Sequence, residues 1–318
     1  LLEEEFSVKI KGIAINADAS VIDGSLAVLQ RELDYYQEQG FSYVELSPHG
    51  VGAIYGGRLD RTRMIELKEL LARYPFRYTV HGLNPLNLMA ADPVNRIGFI
   101  ASLEFTAAVN AEIMVYHAGR YIPEEDFLLA TRHNPTSQER ASMWQQECAG
   151  LREMGQLADQ FGITIAVENA RPYTNISDYC YAESLEALAK MVREVNHSQI
   201  RVTLDTGHAY LAACHYGYDL LPSVTQLAPY VRHIHLHDNF GRASTSWERK
   251  QHELAGMGRG DMHMPIGWGD VPAQEIISRL PNYQGVITVE LRPRYREQYR
   301  RAMLTTQALV KSSDRCVS

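Results

Sequence analysis

Three runs in the last third of the chain constrain its fold most. They are RVTLDTGHAY (201–210), VRHIHLHDNF (231–240) and GVITVELRP (285–293). Each begins β-branched and apolar, as a strand buried on both faces does. Each ends in side chains able to ligate a metal: Asp205 and His208, then His235 and His237, then Glu290. A chain that repeatedly delivers a carboxylate or an imidazole at the C-terminal end of a strand suits a fold in which strand ends converge.

The pattern extends upstream. VKIKGIAIN (8–16), SYVELS (42–47), RYTVHGL (77–83), EIMVYHAG (112–119) and ITIAVENA (163–170) bring the strand-like runs to eight. Helical patterns separate them. Ser25 to Gln39 is stopped by Gly40, Arg61 to Tyr74 ends before Pro75, and Ser137 to Phe161 is closed by Gly162. Pro93 to Asn110, Ser184 to Val195, Pro222 to Ala228, Val271 to Leu280 and Arg294 to Lys311 complete the helices. Strands and helices in this alternation predict an α/β fold, a single-domain (β/α)8 TIM barrel over residues 1–318. An open, doubly wound sheet is disfavoured, because no GxGxxG turn follows the first strand.

Two connections are longer than a barrel needs: 120–136, and 240–270 after the seventh strand. Long loops over the C-terminal face serve as lids or substrate walls. The second holds Arg242, Arg249, Lys250 and Arg259 beside Trp247. Arg242, Trp247 and Arg259 are therefore expected substrate contacts, and Arg292 and Arg294 are further arginines available to a phosphate.

A net charge of −7 gives no sign of a nucleic-acid or anionic-membrane surface. No apolar run approaches the ~20 residues of a membrane span. Cys148, Cys180, Cys214 and Cys316 are scattered, with no CxxC spacing, and read as reduced thiols of a cytoplasmic protein. The acidic opening LLEEEFSVKI lacks the order of a signal peptide. A homo-oligomer is left open.

Placed on these strands, nine ligand-type residues share one rim: His81, His117, Glu168, Asp205, His208, His235, Asp261, His263 and Glu290. So many carboxylates and imidazoles are costly to desolvate together without a cation. Imidazole and carboxylate without thiolate suit zinc, manganese, iron or cobalt. Nine ligands exceed the three or four that one catalytic ion takes. They suit two or three ions if Glu168 or another carboxylate bridges. Alternatively Glu168, Asp205, His235 and Glu290 hold one ion, and the other histidines face substrate.

The motifs YVEL (43–46), TVHGLNPLNL (79–88), VYHAG (115–119), AVENAR (166–171), LDTGHAY (204–210), HLHDN (235–239), DMHMPIGWGDV (261–271) and TVEL (288–291) resemble the xylose isomerase-like TIM-barrel superfamily. That superfamily holds sugar isomerases, epimerases and the endonuclease IV group. The isomerase and epimerase branch implies one divalent metal (zinc, manganese or cobalt) on Glu168, Asp205, His235 and Glu290. It implies Glu168 and Glu290 as acid and base, His208 on a substrate oxygen and a small carbohydrate substrate. Glu45 would bind a hydroxyl or pair with Arg58, and His237 and Asp238 would be structural supports for His235.

The endonuclease IV branch implies instead three zinc ions on all nine residues, cleaving abasic DNA or a small phosphodiester; only then is nucleic acid expected as a partner. HLHDN departs from the Asn-Asp-Ser run of those nucleases, and AVENARP lacks their Gly-rich stretch. Metal-assisted isomerisation or epimerisation of a sugar, keto-sugar or polyol is therefore the first expectation.

Overall fold

The computed structural model describes residues 9–246 and 251–313. Trp247, Arg249, Lys250 and Cys316 lie outside them. The strands are β1 (Gly12–Asn16), β2 (Tyr43–Leu46), β3 (Ile54–Tyr55), β4 (Arg58–Leu59), β5 (Arg77–His81), β6 (Ile113–His117), β7 (Thr164–Glu168), β8 (Ile200–Asp205), β9 (Val231–Leu236) and β10 (Val286–Val289). Strands β3 and β4 form a small hairpin outside the barrel. The other eight are parallel and close in the order β1-β10-β9-β8-β7-β6-β5-β2, as the alternating pattern predicts.

Alternation along each strand sorts its side chains. Ile13, Ile15, Val44, Leu46, Val80, Met114, Ile165, Val167, Leu204, Ile234, Leu236 and Val289 join the main hydrophobic core with the helices. Each such residue, fully buried, contributes roughly 1.5–3 kcal/mol. The opposite faces carry Glu45, Thr79, Thr203, His233 and Thr288, all buried, toward the barrel axis.

The helices begin and end where local chemistry directs. Asp60, Asp92 and Ser184 accept backbone N–H bonds at their helix starts. Thr136 and Glu139 form a reciprocal capping box for the helix Ser137–Phe161, and Gly162 ends it with φ 67°. One helix differs from expectation. Strand β8 stops at Asp205, and a helix Thr206–Tyr216 follows directly. His208 thus sits in the first turn of a helix, not at a strand end. Asp205 causes the switch by capping that helix, its side chain accepting from the His208 N–H at 2.7 Å. Among the described residues no helix is long and apolar enough to cross a membrane.

Helix Ser137–Phe161 also fixes the loop after β6. Glu147, fully buried, accepts from the Gly119 N–H at 3.0 Å, the Tyr181 hydroxyl at 3.1 Å and the Tyr116 hydroxyl at 3.3 Å. A Cβ on Gly119 would lie 2.3 Å from this carboxylate, so the HAG motif needs its glycine. Burial pushes the Glu147 carboxyl up to about 7, against these donors and Arg120. The folded protein therefore keeps a proton that an unfolded chain releases near about 4.3. Stability from this group is complete below that value and is lost as pH rises to about 7. Glu147→Gln should flatten stability between about pH 4 and 7, where the wild type loses up to about 1.4 kcal/mol per pH unit from this group. Urea unfolding across that range measures it; an unchanged slope would show that Glu147 is not the titrating group.

Candidate active site

At the C-terminal mouth, β7, β8, β9 and the end of β10 bring four ligand atoms together. One donor atom each from Glu168, Asp205, His235 and Glu290 lies within 4.8 Å of the others. His235 Nδ1 is the hub, 3.0 Å from Glu168 Oε1, 3.2 Å from Glu290 Oε2 and 4.0 Å from Asp205 Oδ2. Two further groups flank this quartet. His81 and His117 face Glu168 Oε2 at 3.6 and 3.3 Å. His208, His237, Asp261 and His263 form the other group. All nine residues expected at the rim converge, with His237 added.

Ring hydrogen bonds tell which nitrogen each histidine offers. His208 Nδ1 lies 3.1 Å from the Asn169 carbonyl, and His263 Nδ1 lies 3.2 Å from the Glu290 carbonyl. Both therefore donate through Nδ1 and turn Nε2 to Asp261 Oδ2, at 3.2 and 2.7 Å. His81 Nδ1 likewise faces the Gly82 carbonyl. His117 differs. Arg120 Nη2 lies 3.0 Å from its Nδ1 and can only donate there. The neutral His117 ring then carries its proton on Nε2, aimed at Glu168.

Neighbouring side chains hold these groups in place. Asn169 locks β7 to β8 through two bonds to the Asp205 backbone, at 2.8 and 3.0 Å. His237 Nε2 lies 3.0 and 3.1 Å from the two Asp205 oxygens. A Cβ on Gly207 would fall 2.0 Å from the His237 ring, so the glycine of DTGH makes room for it. Asp238 collects the N–H groups of Asn239, Gly267, Trp268, Gly269 and Val271. It thereby ties down the end of the 240–270 loop that carries Asp261 and His263. His237 and Asp238 thus contact Asp205 and the loop, not His235 as expected, and His237 also sits within ligand distance of His208, Asp261 and His263.

Glu45 does not pair with Arg58; it lines the cavity over the rim, as a hydroxyl contact would, and its carboxylate is held from below. Its Oε2 is 2.8 Å from His233 Nε2 and accepts from Thr79 Oγ1 at 2.9 Å. Its Oε1 is 3.0 Å from His235 Nε2. Both oxygens face residues of the barrel interior.

A cavity of about 420 Å³ opens over the rim, with Asn16, Asp18, Ser20 and Asn84 on its walls. Arg242 and Arg259 are exposed and do not line it; the arginines that do are Arg171 and Arg292. Both touch Asp261, Arg171 Nε at 3.6 Å from Oδ2 and Arg292 Nη2 donating to the backbone carbonyl at 3.0 Å. Arg242 and Arg259 lie on the solvent side of the 240–270 loop, off the wall. A larger cavity, about 630 Å³, lies at the opposite end of the barrel, lined by Lys11, Tyr43, Arg77 and Arg232 among others. None of the nine rim residues reaches it, so the chemistry belongs to the C-terminal mouth.

Residues 33–309 match the family model described as xylose isomerase-like TIM barrel. The chain belongs to that family. A relative from Methanocaldococcus jannaschii, an uncharacterised protein, is 24% identical over 70% of this chain and 67% of its own length. Among solved structures, a D-tagatose 3-epimerase-like protein superposes on this xylose isomerase-like barrel with a TM-score of 0.70 at 19% identity, covering 96% of this chain and 100% of the other. The D-psicose 3-epimerase of Clostridium cellulolyticum H10 gives 0.67 at 13% identity over 94% and 99%. A 3-keto-D-glucoside 4-epimerase of E. coli gives 0.64 at 16% over 94% and 100%. At these identities the likeness shows the fold.

The rim of this xylose isomerase-like barrel fits a divalent cation on its own chemistry. Its ligand atoms are imidazole nitrogens and carboxylate oxygens, and buried Glu168 Oε2, Asp261 Oδ1 and Glu290 Oε2 have imidazoles near them but none in hydrogen-bond alignment. Burial would raise the Glu168, Asp261 and Glu290 carboxyls, but neighbouring imidazoles hold all three below the usual carboxylate range. Burial would lower His208, but Asp205 and Asp261 push it up to about 10. His235 is raised in the same way by Glu45, Glu168 and Glu290. At neutral pH these rings hold protons that a cation must displace, because only neutral imidazole ligates. Zinc uptake near neutrality should therefore release protons, and affinity should fall as pH falls. Calorimetry in buffers of different ionisation heat measures this; a binding heat independent of buffer would contradict it.

Proposed function

We propose that this chain is a divalent-metal-dependent isomerase or epimerase of a sugar, keto-sugar or related polyol. The quartet of Glu168, Asp205, His235 and Glu290, with Glu168 and Glu290 lining an open polar cavity, carries the reading. The cavity size suits one small polyhydroxylated molecule, and its walls offer both hydrogen-bond donors and acceptors. Three structures sharing the whole barrel are named as sugar epimerases or epimerase-like, which supports the same reaction class.

A divalent cation held by the quartet supplies Lewis-acid polarisation of a carbonyl and its neighbouring hydroxyl. Glu168 and Glu290 flank the reacting carbon, one taking the carbon-bound proton and the other returning it. His208 holds a substrate oxygen. Arg171 and Arg292, rather than Arg242 and Arg259, close the wall around the substrate.

One observation favours a second reading, a multinuclear zinc phosphoesterase acting on abasic-site DNA or a small phosphodiester. Glu168 belongs both to the quartet and to the group with His81 and His117, and the Asp261 group adjoins them, as three bridged ions require. The Arg120 contact on His117 weighs against it, since a protonated Nε2 cannot ligate.

Metal analysis of protein purified without added metal separates the two. One ion per chain is expected, and three tightly held zinc ions would favour hydrolysis. Turnover of the cognate sugar in deuterium oxide should place solvent deuterium on the reacting carbon; product without deuterium would remove the proton-transfer mechanism. Glu290→Gln should lower kcat by roughly 10²- to 10⁴-fold with an unchanged circular dichroism spectrum. Retained turnover would take Glu290 out of the reaction.

A further inference from the structure

Beneath the quartet, the barrel interior is polar where branched aliphatic side chains usually fill it. Thr203, His233 and Thr288 are 0% exposed, Thr79 2% and Glu45 3%. A buried carboxylate is costly to desolvate, and packing alone would be served by a leucine or methionine at this position. We propose that Glu45 is the positioning residue of the metal quartet: it holds His235 with Nε2 directed down into the barrel and Nδ1 presented to the cation. This inference rests on the reading of the quartet as a cation site.

Glu45 stands on β2, three strands around the barrel from His235 on β9. Its Oε2 is gripped by His233 Nε2 at 2.8 Å, Thr79 Oγ1 at 2.9 Å and Thr288 Oγ1 at 3.3 Å. Three partners on one oxygen fix the carboxylate plane and leave Oε1 for His235, 3.0 Å from Nε2. That contact lies off the ring N–H axis, so Glu45 holds the imidazole by charge at close range and not by an aligned hydrogen bond. The ring's other nitrogen then points at Glu168, Glu290 and Asp205. A cation arriving among those carboxylates takes the place of a proton on Nδ1, while the proton on Nε2 stays with Glu45. A carboxylate behind a ligating imidazole also strengthens the imidazole as a ligand.

The test compares metal-free wild type, Glu45→Gln and Glu45→Ala. Each is titrated with cobalt(II) against a competing chelator, and the visible spectrum of the bound cobalt is recorded. Urea unfolding of the metal-free proteins reports the fold. Glu45→Gln keeps shape but not charge, so it should bind cobalt about tenfold more weakly. Glu45→Ala should bind roughly a hundredfold more weakly, with a shifted cobalt spectrum. The glutamine variant decides the matter if the alanine variant does not fold. Unchanged affinity and spectrum in the folded variants would overturn the positioning role and leave the quartet a cation site. A wild type that takes up no cobalt would overturn the cation reading, and this inference with it.

Discussion

Four carboxylates, Glu168, Asp205, Asp261 and Glu290, share one barrel mouth, and the first three are almost wholly buried. Like charges at that density repel one another and resist desolvation. They are held because each faces imidazoles: His235, His81 and His117 at Glu168, His237 at Asp205, His208 and His263 at Asp261, His235 and His263 at Glu290. The rest of the mouth serves this mixed array. Asn169 fixes the spacing of β7 and β8, Gly207 admits the His237 ring, and Asp238 gathers the loop that delivers Asp261 and His263.

The same constraint reaches down into the barrel. An imidazole that presents Nδ1 upward needs a partner for Nε2 below, and Glu45 occupies that place. Glu45 then needs partners of its own, which His233, Thr79 and Thr288 supply. The polar middle layer is thus a consequence of the layer above it. Structural stability is left to the outer core, where the opposite faces of the same strands meet the helices. The division lets the axis carry charge without weakening the packing that closes the barrel.

Much of this was legible in the chain. Eight apolar runs and intervening helical patterns specify the barrel, because parallel strands and their covering helices carry distinct periodicities. The helix Ser137–Phe161 reads directly from its cap and its terminal glycine. Helix Thr206–Tyr216 is harder, since LDTGH continues an apolar run; Asp205 as a helix cap before AYLAACHY is the signal that locates it. The nine rim residues were legible because each ends a strand run or lies in a motif just beyond one. The Glu45 contacts with His233 and His235, and the places of Arg120 and Arg171, were not. Glu45 meets His233 across 188 positions of sequence, and no local pattern encodes such a pairing.

By itself, then, the sequence determined the barrel and the set of side chains at its mouth, because periodicity and strand-end placement are local properties. Tertiary structure decided which atoms face one another. Closure of the barrel set Glu45 against His235 and put Arg171 and Arg292 on the cavity wall in place of Arg242 and Arg259. Those outcomes depend on strand tilt and loop path, which bring together residues far apart in the chain, so only the folded molecule specifies them.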